Sequence, residues 1–147
     1  MTPRLDAHAA APEALRALGG LQHYVNRCGL EDSLLELVKI RASQLNGCAF
    51  CLHMHTTDAR RQGETELRLY MLDAWRESPL YSPRERAALA WTEALTLVAA
   101  TRAPDEDYAA LAEHFSPAEQ VNLTMAINAI NAWNRLAVGF RRIHPVD

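Results

Sequence analysis

Cysteine, glycine and proline are scarce in the 147-residue chain, at 3, 6 and 7 residues. Three cysteines make an odd, low count for a secreted disulfide scaffold, so a close pair among them reads better as redox or metal chemistry in a reducing compartment. So little glycine and proline, beside 49% hydrophobic residues, favours an ordered and mostly helical chain. No sign of charge dominates. A net charge of -3 with acids and bases interleaved supplies neither a basic stripe for phosphate backbones nor a polybasic membrane patch. No nucleic acid and no membrane are therefore expected as partners. Long apolar runs are missing too. The greasiest segment, Ala87 to Ala100, is broken by Thr92 and Glu93 and falls short of the roughly 20 residues a bilayer demands. The first twenty residues carry Arg4 and Asp6 and lack the apolar segment of a secretory signal, so the expected location is cytoplasmic.

Apolar positions recur at three- and four-residue spacing, and no run of alternating β-branched residues is bounded by turns. The fold class expected is all-α, in one domain over 1–147, since this length suits a single core. A first helix is expected from about Pro12 to Cys28, ended by Gly29. A second runs from Glu31 and Asp32 to the Asn46-Gly47 break, a third from Cys48 to Gln62, and a short one from Glu64 to Trp75. Ser82-Pro-Arg-Glu85 and Ser116-Pro-Ala-Glu119 each read as a capping box with proline in the first helical position. A short helix is expected to start at Pro104 between them. The last helix, to about Gly139, carries Asn122, Asn128, Asn131 and Asn134, which are poor helix formers, so packing must hold it. On its wheel Thr124, Asn128, Asn131 and Arg135 form a polar stripe, either a solvated face or a hydrogen-bonded subunit contact.

The chemistry concentrates in Leu45 to Arg61, "LNGCAFCLHMHTTDARR". With Asn46 as N-cap, Cys48 falls in a first helical turn, where free amides and the helix dipole favour a thiolate. Cys48, Cys51, His55, Asp58 and Gln62 lie within about 80° of one another, whereas His53 points about 160° from His55. His53 and Cys28 therefore read as ordinary surface, interface or core residues. A thiol needs a base to become a nucleophile at neutral pH, and His55 sits one turn beyond Cys51. A histidine used that way is usually oriented by a carboxylate. If the second and third helices fold into an antiparallel hairpin about Asn46-Gly47, position 36 comes level with position 55, and position 36 is Glu36. Asp58 is the rival carboxylate. A solvated role for Glu36, beside Lys39 and Ser43, is the plainer alternative.

Two thiols in one CxxC can close to a disulfide, so two-electron redox is the economical use of the pair. Zinc competes, but Cys48, Cys51 and His55 supply only three of the four ligands a structural site wants. No metal site is expected.

The pattern of Glu36, eleven residues, Cys48, two residues, Cys51, three residues and His55 resembles the AhpD core of the alkyl hydroperoxidase and carboxymuconolactone decarboxylase-like superfamily. The resemblance runs from about Leu34 to Arg135, through "VKIRASQLNGCAFCLHMH" and "INAINAWNR", and points to the single-domain branch. It implies an all-helical homo-oligomer, a trimer or hexamer, and a cofactor-free, thiol-dependent reductase of hydroperoxides. In that likeness Cys51 becomes the sulfenic acid, Cys48 closes the disulfide, and His55 with Glu36 forms the proton relay. The reductant implied is an external dithiol, borne by a lipoyl protein or a thioredoxin-like donor. One departure stands out, since AhpD carries a histidine between the cysteines where this chain has Phe50. A lyase using histidine and glutamate as acid and base, or a non-catalytic oligomer that senses redox state or holds zinc, are the competing expectations.

Overall fold

The computed structural model describes residues 1–146, and among them the regular elements are all helical. They are α1 (Ala7–Ala10), α2 (Pro12–Asn26), α3 (Asp32–Asn46), α4 (Ala49–Arg61), α5 (Glu66–Met71) with a 3-10 turn (Leu72–Ala74), α6 (Pro83–Thr96), α7 (Val98–Thr101), α8 (Asp105–His114) and α9 (Pro117–Phe140). No described helix is long and apolar enough to cross a membrane.

Helix α3 is the axis of the fold, packing against α4, α6 and α9 and buried without interruption from Leu34 to Ser43. Its apolar faces are enclosed together with Glu36, Lys39, Arg41 and Ser43, so those polar groups must find partners inside the fold. Leu34, Leu35 and Val38 meet Ala87 and Ala88 of α6 and Leu123 and Ile127 of α9. The next face of α3, Leu37 and Ile40, meets Ala59, Leu72, Trp75 and Leu89. Each such leucine contributes about 1.5–3 kcal/mol by leaving water, so α3 is held by its packing rather than by its propensity.

Both expected capping boxes are present. The Ser82 hydroxyl accepts from the Glu85 amide and the Glu85 carboxylate accepts from the Ser82 amide, and Ser116 and Glu119 repeat the arrangement. Helix α2 stops at Asn26, two residues short of the expected end, because the chain turns at Arg27 before Gly29 adopts φ 94°. Helix α1 was not expected from the periodicity. It is a single turn capped by Asp6, too short to show a repeat.

The polar stripe of α9 divides in the structure. Asn128 and Arg135 are exposed, but Asn131 is buried and donates to Thr96 Oγ1 (3.0 Å), and Trp91 donates to Thr124 Oγ1 (3.0 Å). Asn46, at the end of α3, donates to Asn131 (3.0 Å) and Asn134 (2.9 Å), and Asn134 donates to Ser43 Oγ (3.0 Å). These amides therefore fasten α9 to α3 and α6 within one chain. That corrects the reading of the whole stripe as a solvated face or a subunit contact. On the opposite side of α3, Glu93 of α6 accepts from Arg41 (2.9 Å), Trp75 (2.7 Å) and Arg76 (2.8 Å), tying α3 and the 3-10 turn to α6.

Candidate active site

The α3–α4 junction is shaped by one glycine. Gly47 takes φ 64°, ψ 35°, a left-handed helix end that side chains with a Cβ resist. Asn46 is thus the last residue of α3 rather than the N-cap of α4, which corrects the sequence expectation. The N-cap is Cys48: its backbone is extended, its amide donates to Ser43 O (3.0 Å), and its Sγ accepts from the Cys51 amide at 3.3 Å. Cys48 therefore sits where its sulfur faces the unpaired amides of a helix start, the position that stabilises negative charge. Cys48 and Cys51 are joined as a disulfide, with Cα atoms 5.4 Å apart.

Both cysteines are buried, and Ala137 of α9 and the half-buried Phe50 pack against them. One turn beyond Cys51, His55 is buried and its Nδ1 lies 3.1 Å from Glu36 Oε2. Nineteen residues separate the two in sequence. Asp58 goes elsewhere, pairing with Arg61 at 3.5 Å. The other Glu36 oxygen, Oε1, accepts from Lys39 Nζ at 2.9 Å. Burial alone pushes the Glu36 carboxyl up, but the hydrogen bonds from His55 and Lys39 and the Lys39 charge outweigh it and hold the carboxyl below its ordinary value. An ionised Glu36 accepts at both oxygens, so His55 carries its proton on Nδ1.

These side chains open onto a cavity of about 1130 Å³. Cys51, His55, Glu36 and Lys39 form part of its wall, with Phe50 and Met54 beside them and Trp133 and Leu136 of α9 opposite. Cys48 is not among the lining residues. Segments far apart in sequence complete the wall: residues 3, 5–8 and 15 near the start, and Phe140, Arg142 and Ile143 near the end. They are held together by the Arg4 amide donating to Phe140 O (2.9 Å), while the Arg142 guanidinium lies 3.9 Å from the centre of the Phe50 ring. His53 is turned away and stacks on His144 at 5.3 Å. Cys28 is a free thiol, partly buried against the main core. No group of three or more His, Cys, Asp or Glu is placed to hold a metal ion among the described residues.

The structure thus brings Glu36, Cys48, Cys51 and His55 together, leaves His53 out, and places Asp58 on the cavity wall but paired with Arg61 rather than with His55. Lys39 and the terminal walls of the cavity were missed. The Glu36–Lys39 spacing of three was visible in the sequence, whereas nothing in the terminal segments signals that they meet.

Residues 10–94 match the model of the carboxymuconolactone decarboxylase family. The chain belongs to that family. Among relatives of this family member, the uncharacterized protein YdfG of Bacillus subtilis is 44% identical over 138 residues, which is 94% of each chain. A solved structure from Agrobacterium tumefaciens, of unknown function but with a suggested role as the antioxidant defence protein AhpD, superposes with TM-score 0.97 at 47% identity, covering 99% of this chain and 100% of that one. The debrominase Bmp8 shares the fold, with TM-score 0.84 over 94% of this chain and 74% of that one, at 21% identity.

Proposed function

We propose that this carboxymuconolactone decarboxylase family member is a cofactor-free, thiol-dependent hydroperoxide reductase. The observation that carries the reading is the division of labour between the two sulfurs: Cys51 lines the cavity beside His55 and Glu36, whereas Cys48 lies behind it at the helix start. A fold that also supports a debrominase does not choose a reaction by itself, so the residues must. The suggested antioxidant role of the Agrobacterium protein agrees with them.

In the reduced protein, His55 holds Nδ1–H against Glu36, and Nε2 is the nitrogen left to take the Cys51 proton. The thiolate attacks the terminal oxygen of a hydroperoxide. An S–O bond forms as the O–O bond breaks, and the departing alkoxide collects the proton from His55 and leaves as an alcohol. Cys51 is then a sulfenic acid. The Cys48 sulfur attacks it, the S–S bond replaces the S–O bond, and hydroxide leaves with the Cys48 proton as water. An external dithiol returns the pair to thiols by exchange and is itself oxidised to a disulfide. Neither a metal nor an organic cofactor enters these steps. The apolar side chains Phe50, Met54, Trp133 and Leu136 on the cavity wall suit a hydroperoxide that carries an organic group.

The test is peroxide consumption with a dithiol reductant. Cys51→Ser should abolish it, and Cys48→Ser should allow one turnover that stops at the sulfenic acid. Rates equal to wild type in Cys51→Ser would rule the reading out. The family's description favours a second reading, a lyase in which His55 and Glu36 act as base and acid. It requires turnover of a lactone acid that survives replacement of both cysteines.

A further inference from the structure

Lys39 is a charged residue the relay described above does not use, yet it is buried with the relay. Only 9% of it is exposed, its Nζ sits 2.9 Å from Glu36 Oε1, and it lines the same cavity as Cys51 and His55. Its partner is three residues away on the same helix, so the pair joins no two elements of the fold. An ion pair spaced this way gives a helix little, and burying it takes two charges out of water. Packing would have been served as well by a methionine or leucine at this position. The structural benefit does not account for the burial.

What the ammonium does accomplish is local. It occupies one Glu36 oxygen, leaving the other to face His55 at 3.1 Å, and it cancels the carboxylate charge in the cavity wall that also holds Cys51. We propose that Lys39 is a positioning residue of the thiol site, acting through Glu36 to aim the carboxylate at His55 and to keep the pocket neutral, so that a thiolate forms at Cys51 without a second uncompensated anion beside it. This rests on Cys51 being the attacking thiol.

Other charges face the same cavity: Asp6 and His8 before and in α1, Asp32 on α3, Asp58 on α4 and Arg142 after α9. None forms an ion pair with Lys39 or Glu36. Behind Glu36, the Glu64 and Glu85 carboxylates are already bound by Arg68, at 2.8 and 2.7 Å. Among the described residues, Lys39 is therefore the one cation within ion-pair distance of Glu36 apart from what His55 becomes on protonation. With the ammonium gone, Glu36 stands uncancelled, and a proton released from Cys51 leaves a second negative charge facing the same cavity. The direction is fixed: the pH at which Cys51 becomes a thiolate must rise.

The experiment follows alkylation of Cys51 by iodoacetamide against pH, read by peptide mass spectrometry on reduced protein in a Cys48→Ser background. Lys39→Gln keeps a donor for Glu36 but no charge, and Lys39→Met removes both. Either should move the midpoint upward and slow alkylation at pH 7 about tenfold, one pH unit's worth, and peroxide consumption by the corresponding variants with Cys48 intact should lose kcat/KM in proportion. Lys39→Arg should keep the wild-type profile. A folded Lys39→Gln protein with an unmoved midpoint would overturn the proposal, as would an arginine variant shifted as far as the glutamine one. If Lys39→Met does not fold, Lys39→Gln decides. Alkylation needs no peroxide, so a shifted midpoint in a protein that consumes none would sink the reductase reading while leaving Lys39 its role.

Discussion

Glu36 is a buried carboxylate whose ion pairs tie the proposed relay to acid stability. Its carboxyl is pushed up by burial and pulled below its ordinary value of 4.5 by His55 and Lys39. A depressed folded value means that the contribution is fully present above about pH 4.5 and is lost as pH falls through the lower folded value. Glu36→Gln should therefore be less stable than wild type at neutral pH by about 3 kcal/mol, because the Lys39 ammonium is left buried without an anion. The gap should narrow at about pH 3.5, as denaturant unfolding at the two pH values would show. In the same variant peroxide consumption at pH 7 should fall about ten- to a hundredfold, through loss of the group that orients the His55 base. A gap that widens in acid would contradict the assignment. The sequence pointed to Glu36 through helix geometry, by reflecting His55 across the turn. Asp58 ranked second in the sequence, and the fold places Glu36 on His55 Nδ1 and Asp58 against Arg61. Lys39 escaped because periodicity places a lysine on a face without telling whether that face is closed over.

At the scale of elements, the turn between α3 and α4 sets where both sulfurs stand. Gly47 holds φ 64° there, so Gly47→Ala should cost about 1 kcal/mol, even though no atom crowds the site of the added Cβ. The second support is the amide cluster under the turn, where Asn134 accepts from Asn46 and donates to Ser43. Asn134→Ala takes one partner each from Ser43 and Asn46, which keep Lys39 O and Asn131, and a thermal or denaturant melt should show a loss of about 1 kcal/mol. By contrast, Asn128→Ala, on the exposed part of the same helix, should stay within about 0.5 kcal/mol. Helix starts written as Ser-Pro-x-Glu were legible because capping is local chemistry. Asparagine bonds between α9 and α3 were not, since the pairing lies 85 and 88 residues away in sequence. The cap moved from Asn46 to Cys48 because Gly47 takes the left-handed end of α3, which keeps Asn46 in that helix and leaves Cys48 as the first residue after the break able to cap α4.

For the molecule as a whole, the disulfide lies apart from the mass of apolar packing. The two large clusters, around Leu34 to Val38 and around Leu37 to Ile40, contain neither sulfur, and Cys48 and Cys51 share a small separate cluster with Ala137. The bridge closes a span of three residues, a loop so short that cutting it releases only about 2 kcal/mol of chain entropy to the unfolded state. Reduction should accordingly leave the helical circular dichroism unchanged and lower Tm by less than about 10 °C. A calorimetric scan with and without a strong reductant measures this directly. Loss of the cooperative transition on reduction would make the bridge a structural staple and leave the reductase cycle without a folded dithiol form to start from. The family pattern, legible from Leu34 to Arg135, covers the packed centre and the thiols. The cavity these thiols face is finished by both ends of the chain, whose meeting at Arg4 and Phe140 leaves no periodic trace in the sequence. A redox pair that cycles must leave its scaffold intact in both states, and the separation of sulfur from core is the physical reason to expect that here.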